Sequence, residues 1–284
     1  MYAITGTTGH VGGATARALR AAGEPVRQVV RDARKAGAWS EAAVADLTDR
    51  AALAKAFAGC RGAFVLLPTL PDGGDAEHRA MGDAIAGAVA DSGIPHVVML
   101  SSWGADLAEG TGPIRWLHHL ENRLRGTGAV VTAIRAPHFQ EKAEDLLGPA
   151  AGAGVYPVFA DTANVPVPMV ATRDIGEAVA AALTNPPAAS EVVDLDAPAY
   201  TERQVAEILG GLLGRDLQVV TLPQPAWAGT LAQAGVPPVL AGELVALYDA
   251  GNQGLLEPRG DRRQPCTTEL DETLRDVVRA ARTS

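Results

Sequence analysis

The chain has 284 residues, 47% hydrophobic and 20% charged, which is enough apolar material to core one large α/β domain or two modest ones. A formal net charge of −9 argues against a nucleic-acid partner, because phosphate-tracking surfaces draw their affinity from clustered Lys and Arg. Only two cysteines are present, Cys60 and Cys266, far apart and without a CxxC partner, so neither a disulfide framework nor a metal site is indicated. Met1 leads straight into the strand-like Tyr2-Ala3-Ile4, and no run reaches the ~18 apolar residues of a spanning helix. The expectation is a cytoplasmic protein with no membrane partner.

Along the first half, short apolar runs at Ala3–Thr5, Val26–Val30, Ala43–Ala45, Ala63–Leu67, His96–Leu100 and Val130–Ile134 alternate with Ala-rich segments of helical length. That rhythm predicts βαβ units feeding a parallel sheet. Phe64-Val65-Leu66-Leu67 and Val97-Val98-Met99-Leu100 are apolar without interruption, as central strands buried on both faces must be. Beyond residue 150 the pattern changes: Pro157, Pro166 and Pro168 interrupt extended segments, and helices are expected at Arg173–Leu183, Thr201–Leu213, Pro225–Gly235, Val239–Ala250 and Thr268–Ala281, with a strand at Val192–Leu195. Thr201 and Gln204 have capping-box spacing. The predicted architecture is a doubly wound parallel sheet over residues 1–150, with a smaller α/β subdomain over 151–284 covering the carboxyl ends of the strands, the two interwoven as one folding unit.

Between the first strand and first helix lies Gly6-Thr7-Thr8-Gly9-His10-Val11-Gly12, glycines at GxxGxxG spacing. Missing Cβ atoms there allow close approach of a pyrophosphate, and the helix start attracts it through free N–H groups and the dipole. Gly6, Thr8, Gly9, His10, Val11 and Gly12 are therefore candidate cofactor-binding residues of a Rossmann unit. An NAD site places an acid about 20 residues further on, at the end of the second strand, to hold the ribose 2′-hydroxyl. Here Arg31 stands there, followed by Asp32, Arg34 and Lys35. A guanidinium matches a 2′-phosphate, which favours NADP(H); Asp32 is the alternative acid if the strand ends one residue later. Asp46 is expected near the adenine, and Pro68 and Thr69 near the ribose and pyrophosphate.

Together with Thr5 to Gly12 and Val26 to Asp32, the stretches Ala133-Ile134-Arg135-Ala136-Pro137-His138-Phe139 and Val170-Ala171-Thr172-Arg173-Asp174-Ile175-Gly176 carry a resemblance across nearly the whole chain. The sequence resembles the NmrA-like family, an atypical branch of the short-chain dehydrogenase/reductases that includes NADP sensors and small quinone reductases. The resemblance implies that Arg31 and Lys35 bind the 2′-phosphate, that Pro137 and Phe139 border the nicotinamide, and that Asp174-Ile175-Gly176 begins a helix of the small subdomain. An acid in the first helical turn complements the dipole, so Asp174 is read as architectural.

Conventional members of the wider superfamily reduce carbonyls with a Tyr and a Lys four residues later. Tyr2, Tyr156, Tyr200 and Tyr248 all lack that Lys, and residues 100–140 contain neither residue type. Hydride delivery to a simple carbonyl leaves an alkoxide that needs a positioned acid, so ordinary alcohol dehydrogenase chemistry is disfavoured. Ser101 and Ser102 close the fifth strand at the height of the cofactor, Ser101 as a candidate cofactor-binding residue and Ser102 as the candidate catalytic hydroxyl. On the following helix His118 shares a face with Glu121 and is the candidate acid, its ordinary pKa near 6.5 suiting proton transfer. His119 and His138 are lesser candidates, and Trp103, Trp116, Phe139 and Trp227 are available to enclose a flat substrate. Two functions fit: an NADPH-dependent reductase of a quinone, enone or similar conjugated small molecule, or a non-catalytic NADP(H)-sensing regulator with a homo-oligomeric or other protein partner. Non-redox chemistry on the same cofactor is a third alternative.

Overall fold

The computed structural model of the protein describes residues 1–36 and 41–283. In chain order, β1 (Tyr2–Thr5) and α1 (His10–Ala21) lead to β2 (Val26–Val30), β3 (Glu41–Val44), α2 (Arg50–Phe57), β4 (Gly62–Val65) and α3 (Asp75–Ser92). Next come β5 (His96–Ser102), α4 (Ile114–Arg125), β6 (Val130–Ala136), β7 (His138–Phe139), the 3-10 turn Gln140–Leu146, α5 (Leu147–Ala153), β8 (Val155–Val158), β9 (Val167–Val170) and α6 (Thr172–Thr184). The chain closes with β10 (Glu191–Asp196), β11 (Ala199–Tyr200), α7 (Glu202–Leu213), β12 (Gln218–Thr221), α8 (Trp227–Gln233), α9 (Pro238–Asn252), β13 (Arg262–Pro265) and α10 (Leu270–Thr283).

Eight parallel strands form one sheet in the order β13-β10-β6-β5-β4-β1-β2-β3. The order reverses beside β1, which pairs with β2 on one edge and β4 on the other; this is the switch point where doubly wound sheets bind ligands. One face packs on α2, α3 and α4 through Val65, Val97, Met99, Ile85 and Leu120. The opposite face packs on α1 and α6 through Ile4, Phe64, Val98, Ile175 and Val179. A third apolar cluster joins Tyr156, Met169, Leu209 and Leu274 in the small subdomain, whose sheets are β11-β9-β7 and β12-β8. Because β10 and β13 lie in the main sheet, residues beyond 150 complete the first unit as well as covering it. Among the described residues no helix is long and apolar enough to cross a membrane.

Three strand ends depart from the pattern reading. β5 and β6 each extend two residues past their apolar runs, to Ser102 and Ala136, because Ser101 and Arg135 are polar residues satisfied inside the fold. β4 stops at Val65, and Leu66 turns against the Gly6 corner. The Thr201–Gln204 capping box forms, each side chain taking the other's backbone N–H at 3.1 and 2.9 Å. Pro157 and Pro168 lie within four-residue strands of the small sheets rather than breaking them.

The start of α6 is fixed twice. Glu141 accepts the Thr172 N–H and hydroxyl at 2.9 and 2.6 Å, and Asp174 accepts the N–H groups of Thr267 and Thr268 at 3.0 and 2.9 Å. Asp174 thus ties α6 to the segment leading into α10. Gly176 lets α6 lie directly on α1, since a Cβ there would come 2.5 Å from that of Ala14. Gly176→Ala should cost about 1–3 kcal/mol by overpacking this helix pair, read as a lowered urea midpoint with unchanged slope.

Candidate functional site

The turn after β1 is shaped by three glycines with three different reasons. Gly6 has φ +65°, and a Cβ would lie 2.6 Å from Leu66 Cδ2. At Gly12 a Cβ would lie 2.3 Å from the Gly6 carbonyl oxygen, so only glycine lets α1 start this close to the strand. Gly9 differs: its φ is −103°, and a Cβ there would find its nearest neighbour 3.5 Å away, an ordinary van der Waals contact. Nothing in the protein requires glycine at this exposed corner, whereas a ligand pressed against the backbone would. No side chain caps α1, leaving the N–H groups of its first turn without an intrahelical acceptor. The buried Thr7 hydroxyl is also without a partner among the described residues. Across the cleft, Glu144 of the Gln140–Leu146 turn reaches His10 at 3.2 Å, bringing a carboxylate beside the positive end of the helix. The glycine turn, the uncapped N–H groups and the Thr7 hydroxyl form a cradle for an anion that fits the pyrophosphate of a dinucleotide, with the Glu144 carboxylate as the competing anion at this helix start.

At the end of β2 the structure separates the basic residues. Arg34 is spent on Asp32, whose carboxylate accepts from its guanidinium at 2.7 Å and from its backbone N–H at 3.0 Å. These bonds hold the Asp32 carboxyl below its ordinary range. The side chains of Arg31 and Lys35 are exposed and make no hydrogen bond or ion pair among the described residues. Asp46 accepts the Thr48 hydroxyl and N–H at 2.7 and 2.9 Å; these bonds, aided by the charge of Arg31, lower its pKa. Pro68 is half-buried and Thr69 exposed on the loop after β4. That loop is pinned by the fully buried His78, which accepts the Leu70 N–H at 2.9 Å, bonds the Gly74 carbonyl at 2.7 Å and stacks on Trp116 at 3.5 Å.

The two serines ending β5 point to opposite faces. Ser101 is buried, and its hydroxyl donates to Glu121 at 2.6 Å, which corrects its assignment to the cofactor: the hydroxyl belongs to the α4 interface. Ser102 is half-buried, with only a 3.4 Å contact to the Ala136 carbonyl. Glu121 also accepts both arms of Arg135, at 2.9 and 2.8 Å, and Arg125 at 3.1 Å. Arg135 is in register with Ser101 on β5 and Asp194 on β10, so one polar row crosses three strands beneath α4. Sequence reasoning missed this row, although an Arg inside an apolar strand run announces a buried carboxylate partner.

His118 faces the loop after β5. One ring nitrogen bonds the Ala105 carbonyl at 2.8 Å and the other the Asn122 amide at 2.9 Å, so both are engaged in holding that loop. Trp116 and Trp227 are core residues: the first stacks on His78, the second is 2% exposed and donates to the Leu222 carbonyl. They correct the expectation of an aromatic enclosure built from the tryptophans, and Trp103 is buried too. Phe159 and Tyr248, stacked at 4.8 Å and both only half-buried, are the aromatic pair with open surface. Glu121→Gln removes the charge opposite the buried Arg135, and we expect a loss of roughly 3 kcal/mol in stability, measurable by urea denaturation.

Three comparisons place this geometry among known proteins. The family model of the NmrA-like family matches residues 2–273. An NAD(P)H azoreductase of Xenophilus azovorans is 26% identical over 253 residues, covering 87% of this chain and 86% of that protein. An NADPH-dependent quinone oxidoreductase from Escherichia coli, solved with NADPH, superposes with a TM-score of 0.81 at 22% identity, covering 98% and 100% of the two chains. The triphenylmethane reductase of Citrobacter sp. gives 0.80 at 21% identity, covering 98% and 99%. With the cradle, the switch-point sheet and a match over nearly its full length, the chain belongs to the NmrA-like family.

Proposed function

We propose that the protein is an NADPH-dependent reductase of a quinone, azo dye or other flat conjugated small molecule. The observation that carries this is the pairing pattern at the end of β2: Asp32 is neutralised by Arg34, while the side chains of Arg31 and Lys35 make no hydrogen bond or ion pair among the described residues. A site built for a 2′-hydroxyl needs a free acid there, and one built for a 2′-phosphate needs a free guanidinium. The azoreductase relative and the quinone and dye reductases of like fold support the same class of acceptor.

Residue by residue, Gly6, Thr8, Gly9, His10, Val11 and Gly12 would cradle the pyrophosphate, with Arg31 and Lys35 on the 2′-phosphate. Asp46 would lie at the adenine, Pro68 and Thr69 along the adenosine ribose, and Pro137 and Phe139 beside the nicotinamide. When bound, the cofactor supplies a hydride. Ser102, not Ser101, offers a hydroxyl to the acceptor. A conjugated acceptor suits a chain without the Tyr and Lys pair, because its reduced oxygen or nitrogen is stabilised by the ring and asks less of an acid than an alkoxide would. His118, with both ring nitrogens engaged, could serve as acid only by giving up the Asn122 amide.

Arg31→Ala should weaken NADPH binding roughly tenfold or more, about 1.4 kcal/mol, while leaving NADH affinity unchanged in calorimetric titrations. Equal losses for both cofactors would sink the 2′-phosphate assignment. Tight NADPH binding with no oxidation against a panel of quinones, enones and azo dyes would instead favour a sensor of cofactor state.

A further inference from the structure

The Gln140–Leu146 turn is anchored by most of its own side chains. Gln140 is buried, its amide donating to the Met169 and Thr268 carbonyls at 3.0 and 2.9 Å and its side-chain oxygen accepting the Thr273 hydroxyl. Glu141 is committed to Thr172, and Ala143 and Leu146 pack in the apolar cluster of the small subdomain. Lys142 pairs with Asp145 at 3.3 Å within the turn. Glu144 reaches outward instead. Its Oε2 lies 3.2 Å from Nε2 of His10, the first residue of α1, so a carboxylate of the small subdomain touches the phosphate turn directly.

What that carboxylate meets follows from the residues of the helix start. Gly9 has no side chain to cap α1, and the first turn, His10-Val11-Gly12-Gly13, contains no acid of its own. Its free N–H groups and the positive end of the dipole attract an anion from elsewhere. Glu144 supplies one, and the pyrophosphate of a dinucleotide claims the same helix end. Two anions at one helix start repel each other, and within the screening distance of about 8 Å at physiological salt that repulsion is felt. The contact is also built to yield. The side chains of His10 and Glu144 are 58% and 38% exposed, so the carboxylate can turn to water without stranding a buried charge. Gln140 and Glu141 meanwhile keep the root of the turn in place.

We propose that Glu144 is a built-in competitor of the cofactor: its carboxylate and the pyrophosphate contend for the start of α1, and the carboxylate gives way when the dinucleotide seats. This rests on the reading of the turn as a dinucleotide cradle. The consequence is a cofactor affinity held below what the cradle alone provides. If the carboxylate covers the helix start for about two thirds to nine tenths of the time, apparent affinity falls roughly three- to tenfold. The restraint acts on the pyrophosphate, which NADPH and NADH share, and is indifferent to the 2′-phosphate that Arg31 and Lys35 are proposed to hold. A reductase must release its oxidised cofactor in every cycle, and a carboxylate returning to the helix start favours that release.

The test is calorimetric titration of NADPH, NADH and 2′-AMP, a fragment without the pyrophosphate, into wild type, Glu144→Gln and Asp145→Asn at low ionic strength. Glu144→Gln should bind NADPH and NADH more tightly by the same factor, roughly three- to tenfold, and 2′-AMP as the wild type does. Asp145→Asn removes an equal charge from the next residue, whose carboxylate pairs with Lys142, and should leave all three affinities unchanged. Neither side chain is buried, so both variants keep the fold. NADPH affinity unchanged or weakened in Glu144→Gln would overturn the competition. So would an equal gain in Asp145→Asn, or a gain for 2′-AMP, because either marks a general effect of net charge. Binding of neither dinucleotide to any of the three proteins would overturn the cradle reading and the competitor with it, whereas tight binding indifferent to residue 144 would overturn the competitor alone.

Discussion

A side chain of even one carbon on residue 12 would collide with the carbonyl of Gly6 at 2.3 Å, and this close approach of helix to strand sets the geometry on which the rest of the site depends. Because α1 begins there, its unpaired N–H groups face the crevice between β1 and β4 instead of solvent at large. Because α1 lies where it does, α6 has a surface to pack on, and Gly176 removes the last obstacle to that contact. The small subdomain is then carried by α6 through Glu141 and Asp174, each a carboxylate satisfying backbone N–H groups at a chain reversal. One steric requirement at the first turn thus propagates through α6 to the small subdomain.

The buried row of Ser101, Arg135 and Asp194 does a second job. A guanidinium inside a parallel sheet is tolerable only because Glu121 meets it with two hydrogen bonds and a full opposing charge. Burial raises the Asp194 carboxyl, against the lowering influence of the Gly260 N–H and of Arg135. Through Glu121 the row joins the carboxyl ends of β5 and β6 to α4, immediately before Ser102 and Pro137. The arrangement separates rigid support beneath the strands from open chemistry one residue further on.

In the chain's chemistry the division is similar. Histidines with partners brace loops and strands, tryptophans fill cores, and among the described residues Arg31, Lys35, Ser102 and the Phe159 and Tyr248 pair are open groups. A site with few positioned acids fits acceptors whose reduced form is already stabilised by conjugation.

Composition and pattern alone determined much of this. Uninterrupted apolar runs, Ala-rich helical spacers and the glycine spacing of residues 6–12 specified a doubly wound sheet and its phosphate turn, because burial on both faces and close helix approach leave direct marks on residue type. The basic cluster after β2 was legible as well, but not which of its members was free; only the folded chain turned Arg34 back onto Asp32. Strand ends, the partners of Ser101 and His118, and the core burial of Trp116 and Trp227 were decided by tertiary structure. The physical reason is shared: each depends on which side chain from a distant segment arrives within hydrogen-bond or van der Waals reach, and contacts such as Arg135 with Glu121 or His78 with Trp116 leave no periodic signal along the chain.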